Sequence, residues 1–346
     1  MMMENTSLTS GTSTVVATRN RSYHIAHTIK AILDTHNASP EIIIVDQSDP
    51  ALATVLRDTL ATIASDYAIT LTIEDECHPS AQPGRLRYVA CSGRGAGLGR
   101  NIGARFATRD IVLFVDDDIL PDSDWTEVVT AEFAADPTVV GVYGRILPFD
   151  PTAKSATHVK RTGTEVTRAG MERKRYDKPV LPWYLGSGGN MSFRREALLQ
   201  CGGFDEVLTI GGPFRAFEDI DIGYRLLARR MGSIVFSAMS LVYHDSIKTL
   251  PEQMHTESGY GLSVGAAALK YARCGDYFGW HIFLLWIWHM GVRRSAAGIV
   301  KWRNGAVVRL SLLQFYYPWL GIFKALGWPV DTTARVFKPR ARSTGT

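Results

Sequence analysis

The chain has 346 residues, 46% of them hydrophobic, and a formal net charge of +4. This length supports a large buried core and fits one large α/β domain or one and a half domains. From Ser246 onward there are 13 Lys/Arg against 4 Asp/Glu, so the preceding 245 residues are net acidic. A basic C-terminal part behind an acidic body argues against nucleic-acid binding and for a local anionic partner such as a phospholipid surface.

The two ends of the chain and its cysteines bear on the compartment. Residues 1–12 are polar, without the apolar segment of a signal peptide, and we expect them to be disordered. Four scattered cysteines without CxxC spacing favour a reducing, cytoplasmic environment and no zinc site.

The first 120 residues predict alternating strands and helices. The predicted strands cover 13–18, 41–45, 69–73 and 111–115, and the predicted helices cover 24–35 and 51–64, with a third helix that the glycine-rich segment 93–103 leads into and that ends near Thr108. This order indicates βαβ units and a mostly parallel sheet, which binds ligands at the carboxyl ends of its strands.

Three consecutive carboxylates, Asp116, Asp117 and Asp118, end the buried strand 111–115. They repel one another, so a cation is expected nearby, and a divalent metal that bridges to substrate phosphates is the natural candidate. The alternative is an acidic cap for the following helix, although Asp122 to Asp124 is the better placed cap. Arg19 with Asn20, and Asp46 with Ser48, follow other strands, so we expect all these groups to converge.

The glycine-rich segment 93–103 partly matches a dinucleotide fingerprint, but its third spacing is wrong and no strong strand is predicted directly before it. We interpret it as a flexible approach to Arg100 and Asn101, which open a helix and can hydrogen-bond a nucleotide. A strand is predicted over 139–147. The basic segment 150–182 either closes over the site, where it could meet phosphates, or is a solvated surface loop.

The region 185–245 supplies candidate catalytic groups. Glycines before a short strand, Gly188 and Gly189, suggest a backbone that comes close to a ligand. Glu218 and Asp219 lie in the first turn of a predicted helix, whose dipole keeps a carboxylate ionised and able to accept a proton. His244, followed by Asp245, could complete a metal shell. A helix charge bias and a structural histidine are the alternatives.

Two late apolar segments, 277–292 and 310–323, are shorter than the ~20 residues that cross a bilayer. Both are rich in aromatic residues and flanked by Arg and Lys. We therefore expect residues 246–330 to be a helical, amphipathic extension that lies on a membrane surface, with ordinary core helices as the alternative. Residues 331–346 are expected to be a basic disordered tail.

With these residues in view, the chain resembles the inverting glycosyltransferases of family 2, which have the Rossmann-like GT-A fold. The resemblance covers 13–244, divided into a nucleotide-sugar half (13–120) and an acceptor half (139–245). The segments that carry it are Thr18-Arg19-Asn20, Asp46-Gln47-Ser48, Gly97 to Gly103, Asp116 to Asp118 as the DxD motif, Gly188-Gly189-Asn190 with Gly202 to Asp205, and Glu218-Asp219-x-Asp221. The acceptor half is also similar to the C-terminal part of β-galactosyltransferases.

The resemblance implies a role for each matching residue. The implied donor-binding residues are Thr18, Arg19, Asn20, Asp46, Ser48, Arg100, Asn101, Asp116 and Asp117. The implied acceptor-binding residues are Gly188, Gly189, Asn190 and Asp221. Asp118, Asp116 and His244 would hold Mg²⁺ or Mn²⁺. Asp219 would be the catalytic base and Glu218 would orient it or the acceptor.

The implied reaction is the metal-dependent transfer of one hexose from a UDP-, dTDP- or GDP-sugar to a hydroxyl, with inversion. The Gln/Arg-x-x-Arg-Trp pattern of processive synthases is absent, which favours addition of a single sugar. The acceptor would be a lipid-linked or cell-surface glycan at the inner face of the cell membrane. The rival hypotheses are a non-catalytic sugar-nucleotide or glycan-binding protein, a nucleotidyltransferase and a nicotinamide-dependent dehydrogenase.

Overall fold

The computed structural model describes residues 11–36, 41–149, 172–244 and 249–339. The strands are β1 (Thr12–Thr18), β2 (Glu41–Asp46), β3 (Leu71–Asp75), β4 (Leu86–Ala90), β5 (Ile111–Asp116), β6 (Ile119–Pro121), β7 (Val139–Leu147), β8 (Lys174–Tyr176), β9 (Met191–Arg194), β10 (Ser233–His244), β11 (Val330–Asp331) and β12 (Val336–Phe337).

The helices follow the same chain order. They are α1 (Ser22–Leu33), α2 (Pro50–Asp66), α3 (Ala96–Phe106), α4 (Trp125–Ala135), α5 (Arg195–Gln200), α6 (Glu218–Ala228), α7 (Leu250–Arg273), α8 (Phe278–Trp286), α9 (Arg294–Val300) and α10 (Gly305–Leu326). A 3₁₀ turn covers Pro182–Tyr184, and a π-helical segment, Ile287–Arg293, joins α8 to α9.

Ten strands form one sheet in the order β3-β4-β2-β1-β5-β9-β7-β10-β6, with β8 also paired to β10. The neighbours from β3 to β5 are parallel, and so are β7 and β10, whereas β9, β6 and β8 pair antiparallel. Helices cover both faces, with one apolar cluster on each side of the sheet. The predicted α/β fold with a mostly parallel sheet is therefore confirmed.

Strand β4 is not predicted by the sequence pattern, and it lies before the glycine-rich segment, where no strong strand is expected. The charged Arg87 interrupts the apolar pattern of this strand, but its guanidinium is buried between Glu41 and Glu74 at 2.7 and 2.8 Å. Its neighbours Leu86, Tyr88 and Val89 are buried as the pattern of a central strand requires.

The C-terminal extension is helical, as predicted, but its inner side is not separate from the preceding domain. Residues of α7, α8 and α10 share one apolar cluster with Phe214, Phe217 and Tyr224, which lie before and within α6. The expected disorder of the tail is wrong for residues 331–339, because Phe337 of β12 is buried against this cluster, stacked on Phe214 at 5.4 Å. Residues 340–346 lie outside the described residues.

Close packing of α7 against α10 depends on glycines. A methyl group at Gly265 would clash with the backbone carbonyl of Pro318, and one at Gly321 would clash with the backbone of Leu262. The two helices therefore touch backbone to backbone. Among the described residues, no helix is long and apolar enough to span a membrane.

We predict that Gly265→Ala lowers the free energy of unfolding by about 1–3 kcal/mol, because the added methyl wedges α7 away from α10. Gly305→Ala is the matched control, since nothing lies within 4 Å of its added methyl. The control should stay within about 0.5 kcal/mol of the wild type. Urea unfolding followed by tryptophan fluorescence measures both, and equal effects would contradict the packing described here.

Candidate active site

The turn after β5 is anchored by Asp117, which is buried. Its Oδ2 accepts a hydrogen bond from Thr18 Oγ1 at 2.6 Å, and its backbone carbonyl accepts one from Thr28 at 3.0 Å. The family resemblance implies that Thr18 and Asp117 bind the donor. The structure shows that their side chains bind one another and fix the turn between β5 and β6.

Asp118 and His244 come together because of strand register. His244 of β10 pairs with Ile119 of β6, the residue that directly follows Asp118. This pairing brings His244 Nε2 to 3.2 Å from Asp118 Oδ1. Asp245 lies outside the described residues.

Arg21 was not assigned a role from the sequence. Its Nη1 lies 3.0 Å from Asp117 Oδ1 and 2.8 Å from Asp118 Oδ2. Burial alone would raise the pKa of Asp118, but hydrogen bonding and charge from His244 and Arg21 outweigh it and hold that pKa below its ordinary value.

Arg100 connects the two halves of the site. Its Nη2 lies 2.8 Å from Asp116 Oδ1 at the end of β5, and its Nη1 lies 2.8 Å from Glu218 Oε1 at the start of α6. The side chain is 5% exposed and also lies over the ring of Phe204. Arg100 thus lies inside the predicted site, as a buried cation between two carboxylates, and Asp116 is 40% exposed beside it.

The start of α6 holds the two candidate catalytic acids. Phe217, directly before it, has φ of +90°, a left-handed conformation that is strained for a buried aromatic residue. Glu218 is buried, whereas Asp219 is half-buried. Asp219 Oδ2 accepts a hydrogen bond from Gly188 N at 2.7 Å, and Tyr143 donates to its backbone carbonyl. Asp219 is therefore the more accessible of the two carboxylates.

The expectation that the helix dipole keeps these carboxylates ionised is wrong in direction, because burial dominates the electrostatics of the pair. Burial raises the pKa of Glu218 from 4.5 to about 7, with Arg100 opposing the shift and Asp219 adding to it. Burial also raises the pKa of Asp219, and Arg100 again opposes this. A carboxylate with a raised pKa is a better proton acceptor once it is ionised.

Two predicted glycines lie in the site, and their neighbour Asn190 does not face it. A methyl group at Gly188 would lie 2.8 Å from Asp219 Cβ, and one at Gly189 would lie 3.5 Å from Asp116 Oδ2. Asn190 was predicted to bind the acceptor, but it is 1% exposed. It accepts from Trp125 Nε1 and donates to the carbonyls of Arg145 and Ser240. It therefore holds the glycine turn in place and cannot contact an acceptor directly.

The predicted acceptor role of Asp221 is excluded by its burial, because the residue is 0% exposed. Its Oδ2 accepts from Arg225 at 2.7 Å, and its Oδ1 accepts from Lys270 and Tyr271 of α7, both at 2.6 Å. Lys270 also lies 2.9 Å from Asp205. Asp221 is a structural anchor that ties α6 to the C-terminal helices.

Asn101 is likewise structural and not a nucleotide ligand. Its side chain donates to the Phe204 carbonyl and accepts from Phe204 N at 2.9 and 2.7 Å. Because its amide is buried and paired, it fixes the loop after α5. The preceding glycines serve packing, since a methyl at Gly99 would lie 2.8 Å from Ala17 of β1.

The ends of β1 and β2 meet as predicted. Asn20, in a left-handed conformation at φ of +59°, donates its backbone N–H to Ser48 Oγ at 2.7 Å. Asp46 is buried, accepting from Ser48 N and Tyr88 Oη, both at 2.9 Å. Arg19 is exposed beside them. The donor-binding roles of these residues stay predictions.

A further contact that the sequence did not reveal fixes the glycine-rich segment. Gln47 and Gly95 exchange two hydrogen bonds, Nε2 to O at 3.1 Å and N to Oε1 at 3.2 Å. Thr209 accepts from Gly97 N at 2.7 Å. Residues this far apart in sequence give no local pattern.

The basic segment 150–182 is described only from residue 172. Arg173 contacts Glu132, and Arg175 contacts Asp136 and Ser233. These contacts lie where β10 begins, at the opposite end from His244. Arg173 and Arg175 therefore fit the alternative of a surface loop, while residues 150–171 of the segment lie outside the described residues.

The predicted metal ligands fit a divalent cation in part. Asp118 and His244 offer a carboxylate and an imidazole beside one another, and magnesium-type sites are completed by substrate phosphates and water. Asp116 is engaged by Arg100. Within the described ranges no cluster of three or more such ligands exists, so substrate and water would have to supply the remaining positions.

A profile of the family described as Glycosyl transferase family 2 matches residues 13–202, more than half of the chain. The chain belongs to this family. The match includes β1, β2 and the Asp116 to Asp118 turn, and the predicted resemblance to family 2 glycosyltransferases is confirmed.

Curated relatives of this family-2 chain include the pre-mycofactocin glycosyltransferase of Mycobacterium tuberculosis, 29% identical over 51% of this chain and 36% of that protein. The glucosyl-dolichyl phosphate glucuronosyltransferase of Haloferax volcanii is 28% identical over 32% of this chain and 35% of that protein. The aligned part thus covers about a third of the length of these relatives.

Solved structures show the same fold. A mannosyltransferase from Pyrobaculum calidifontis, in complex with GDP-Man and Mn²⁺, has a TM-score of 0.55 and 16% identity over 91% of this chain and 87% of that chain. The predicted GT-A-type α/β arrangement is therefore confirmed.

The raised pKa of Glu218 predicts how stability depends on pH. The folded chain binds the Glu218 proton more tightly than the unfolded chain, so protonated Glu218 stabilises the folded state. This stabilisation is complete below pH 4.5 and is lost as pH rises through about 7. Glu218→Gln does not titrate, so its stability relative to the wild type should increase as pH rises from 5 to 8.

Urea unfolding at several pH values measures this difference. Glu196→Gln, at an exposed carboxylate of α5, is the matched control and should show no such trend. A Glu218→Gln difference that stays constant with pH would contradict the prediction.

Proposed function

We propose that the protein is a glycosyltransferase that transfers one hexose from a nucleoside-diphosphate sugar to a hydroxyl, with inversion at the anomeric carbon. The observation that carries this proposal is the Arg100 bridge. It holds Asp116, on the predicted donor side, and the Glu218-Asp219 pair within one site. A UDP-, dTDP- or GDP-sugar would serve as donor.

The proposed step is a single displacement. The acceptor oxygen attacks the anomeric carbon, its proton passes to an Asp219 carboxylate oxygen, and the bond from the anomeric carbon to the diphosphate oxygen breaks. Because one face is attacked as the opposite bond breaks, the configuration inverts. Glu218, held by Arg100, positions Asp219 and does not contact the acceptor, since it is buried.

Asp118 and His244 would hold Mg²⁺ or Mn²⁺, with Asp116 beside them. When bound, such an ion supplies charge stabilisation to the departing diphosphate. Support comes from the adjacency of the Asp118 and His244 side chains and from the Mn²⁺ in the structure of the Pyrobaculum mannosyltransferase.

We predict that Asp219→Asn lowers transfer by about 10²–10⁴-fold, because the amide cannot accept the hydroxyl proton. The measurement is product formation from a panel of UDP-, dTDP- and GDP-sugars with Mn²⁺ or Mg²⁺ and a membrane lipid extract. Nuclear magnetic resonance of the product gives the anomeric configuration, which should be inverted.

The matched control is Asp58→Asn, at an exposed carboxylate of α2, which should keep wild-type activity. Binding of a nucleotide sugar without turnover, equal in the wild type and in Asp219→Asn, would instead favour a non-catalytic binding protein. Retention of configuration would exclude the single displacement.

We also propose that the acceptor is lipid-linked and that the enzyme lies peripherally on the inner face of the cell membrane. Two helices carry exposed apolar stripes at helical spacing. The stripes consist of Tyr277, Trp280, Leu284 and Trp288 near and along α8, and of Leu312, Tyr316, Trp319, Leu320 and Phe323 on α10. The buried Phe283 packs edge to face on Trp280 at 6.0 Å and on Trp319 at 4.8 Å, so it joins the two stripes into one surface, here called the aromatic face.

The charge around the aromatic face fits an anionic bilayer. Residues 277–330 contain six Lys or Arg and no Asp or Glu. Basic residues beside a partly inserted apolar surface add electrostatic attraction to anionic lipids. The opposite sides of these helices pack on the preceding domain. The same helices would therefore contact the domain on one side and the membrane on the other.

We predict that the double variant Leu284→Ser/Phe323→Ser binds vesicles containing phosphatidylglycerol about tenfold more weakly than the wild type, because apolar area is lost from the bilayer contact. The two side chains are 61% and 67% exposed, so folding should be little affected. Co-sedimentation with vesicles, at low and high salt, is the measurement.

The matched control is Val55→Ser/Ile73→Ser, which removes comparably exposed side chains from α2 and β3. It should bind vesicles like the wild type. Absence of binding by the wild type, or equal loss in both double variants, would contradict the membrane proposal.

A further inference from the structure

The guanidinium of Arg21 binds the carboxylate of Asp118, which is the predicted metal ligand. It donates to Asp118 Oδ2 at 2.8 Å, while His244 Nε2 lies 3.2 Å from the other oxygen, Oδ1. Both oxygens of Asp118 are thus engaged by side chains of the protein itself. A divalent cation that binds Asp118 must first displace at least one of these partners.

The side chain of Arg21 can move away from Asp118 without a change in the surrounding structure. Its side chain is 51% exposed. Its backbone carbonyl accepts from Ile25 N, the first turn of α1, which fixes the main chain. Asp117, the other partner of Arg21, remains anchored by Thr18 and is 8% exposed. Only the exposed guanidinium needs to move.

We propose that Arg21 is a placeholder cation that neutralises Asp118 in the absence of ligands. When a divalent metal and a nucleoside diphosphate bind together, the Arg21 side chain moves away from Asp118 and its guanidinium hydrogen-bonds the diphosphate. This inference rests on the proposed function for the identity of the nucleotide. A guanidinium binds phosphate oxygens through paired, charge-assisted hydrogen bonds, so the diphosphate offers Arg21 a replacement for Asp118.

The consequence is cooperative binding of metal and nucleotide. Metal alone must displace a favourable ion pair and enter beside a guanidinium of like charge, so its affinity is low. Once diphosphate has drawn Arg21 away, Asp118 is available. By reciprocity, the metal must raise the nucleotide affinity by the same factor.

Isothermal titration of Mn²⁺ into the full chain, without nucleotide, tests this directly. Arg21→Gln should bind Mn²⁺ about tenfold more tightly than the wild type, because the competing charge is gone. Arg21→Lys, which keeps the charge, should stay near the wild type. Lys30→Gln is the matched control, since it removes an exposed charge from a surface pair on α1, the helix that directly follows Arg21, and it should also match the wild type.

The second arm repeats the titration with saturating UDP or GDP. The Mn²⁺ affinity of the wild type should rise at least tenfold. That of Arg21→Gln should rise less, because removal of the Arg21 charge has already raised its Mn²⁺ affinity without nucleotide and because the contact of Arg21 with the diphosphate is lost. Equal Mn²⁺ affinities of the wild type and Arg21→Gln without nucleotide, including no binding by either, would overturn the inference. Failure to bind any nucleotide would overturn the proposed function. The Mn²⁺ affinities of the wild type and Arg21→Gln without nucleotide would then still decide whether Arg21 competes with the metal.

Discussion

The site depends on one buried cation. Arg100 lies between a carboxylate at the end of β5 and a carboxylate at the start of α6, 2.8 Å from each, with almost no contact with solvent. A charge in such a place is stable only while paired, and loss of one partner typically costs about 3–5 kcal/mol. The positions of Asp116 and Glu218 are therefore coupled, although they come from opposite halves of the domain.

Arg100 can reach both acids because α3 lies unusually close to the sheet. A methyl group at Gly103 would clash with Val15, and one at Gly99 would touch Ala17, both on the central strand β1. Glycine at these two positions lets the helix backbone approach the strand. The glycine pattern, which partly resembles a nucleotide fingerprint, is explained by this packing and by the Gln47 contact with Gly95.

Local sequence predicted the sheet and the acids at its edge, because buried strands are continuous apolar segments and parallel strands end at a common edge. The roles of individual polar residues could not be predicted in this way. Asp219 and Asp221 are two residues apart on the same helix, yet the first is half-buried in the site and the second is enclosed. The partners that enclose Asp221 are Lys270 and Tyr271, about fifty residues later in the chain.

Partners from distant segments also explain why strand β4 and the ordered part of the tail are not predicted from the sequence. Arg87 would not be expected in a central strand, but Glu41 and Glu74 come from two neighbouring strands to neutralise it. Phe337 lies in a basic, polar terminal sequence, and its burial against Phe214 depends on a cluster assembled from distant segments. Burial that is created by long-range partners leaves no trace in a short window of sequence.

The C-terminal helices then acquire a role that composition alone could not assign. Their inner side provides Lys270, which binds Asp205 and Asp221 in a fully buried network and so fixes the helix that begins with Glu218 and Asp219. Their outer side is the aromatic face, without an acidic residue in the surrounding sequence. Because α7 and α10 touch backbone to backbone, the two sides cannot shift independently. Under the proposed function, the layer that meets the membrane therefore also sets where Asp219 stands relative to a lipid-linked acceptor.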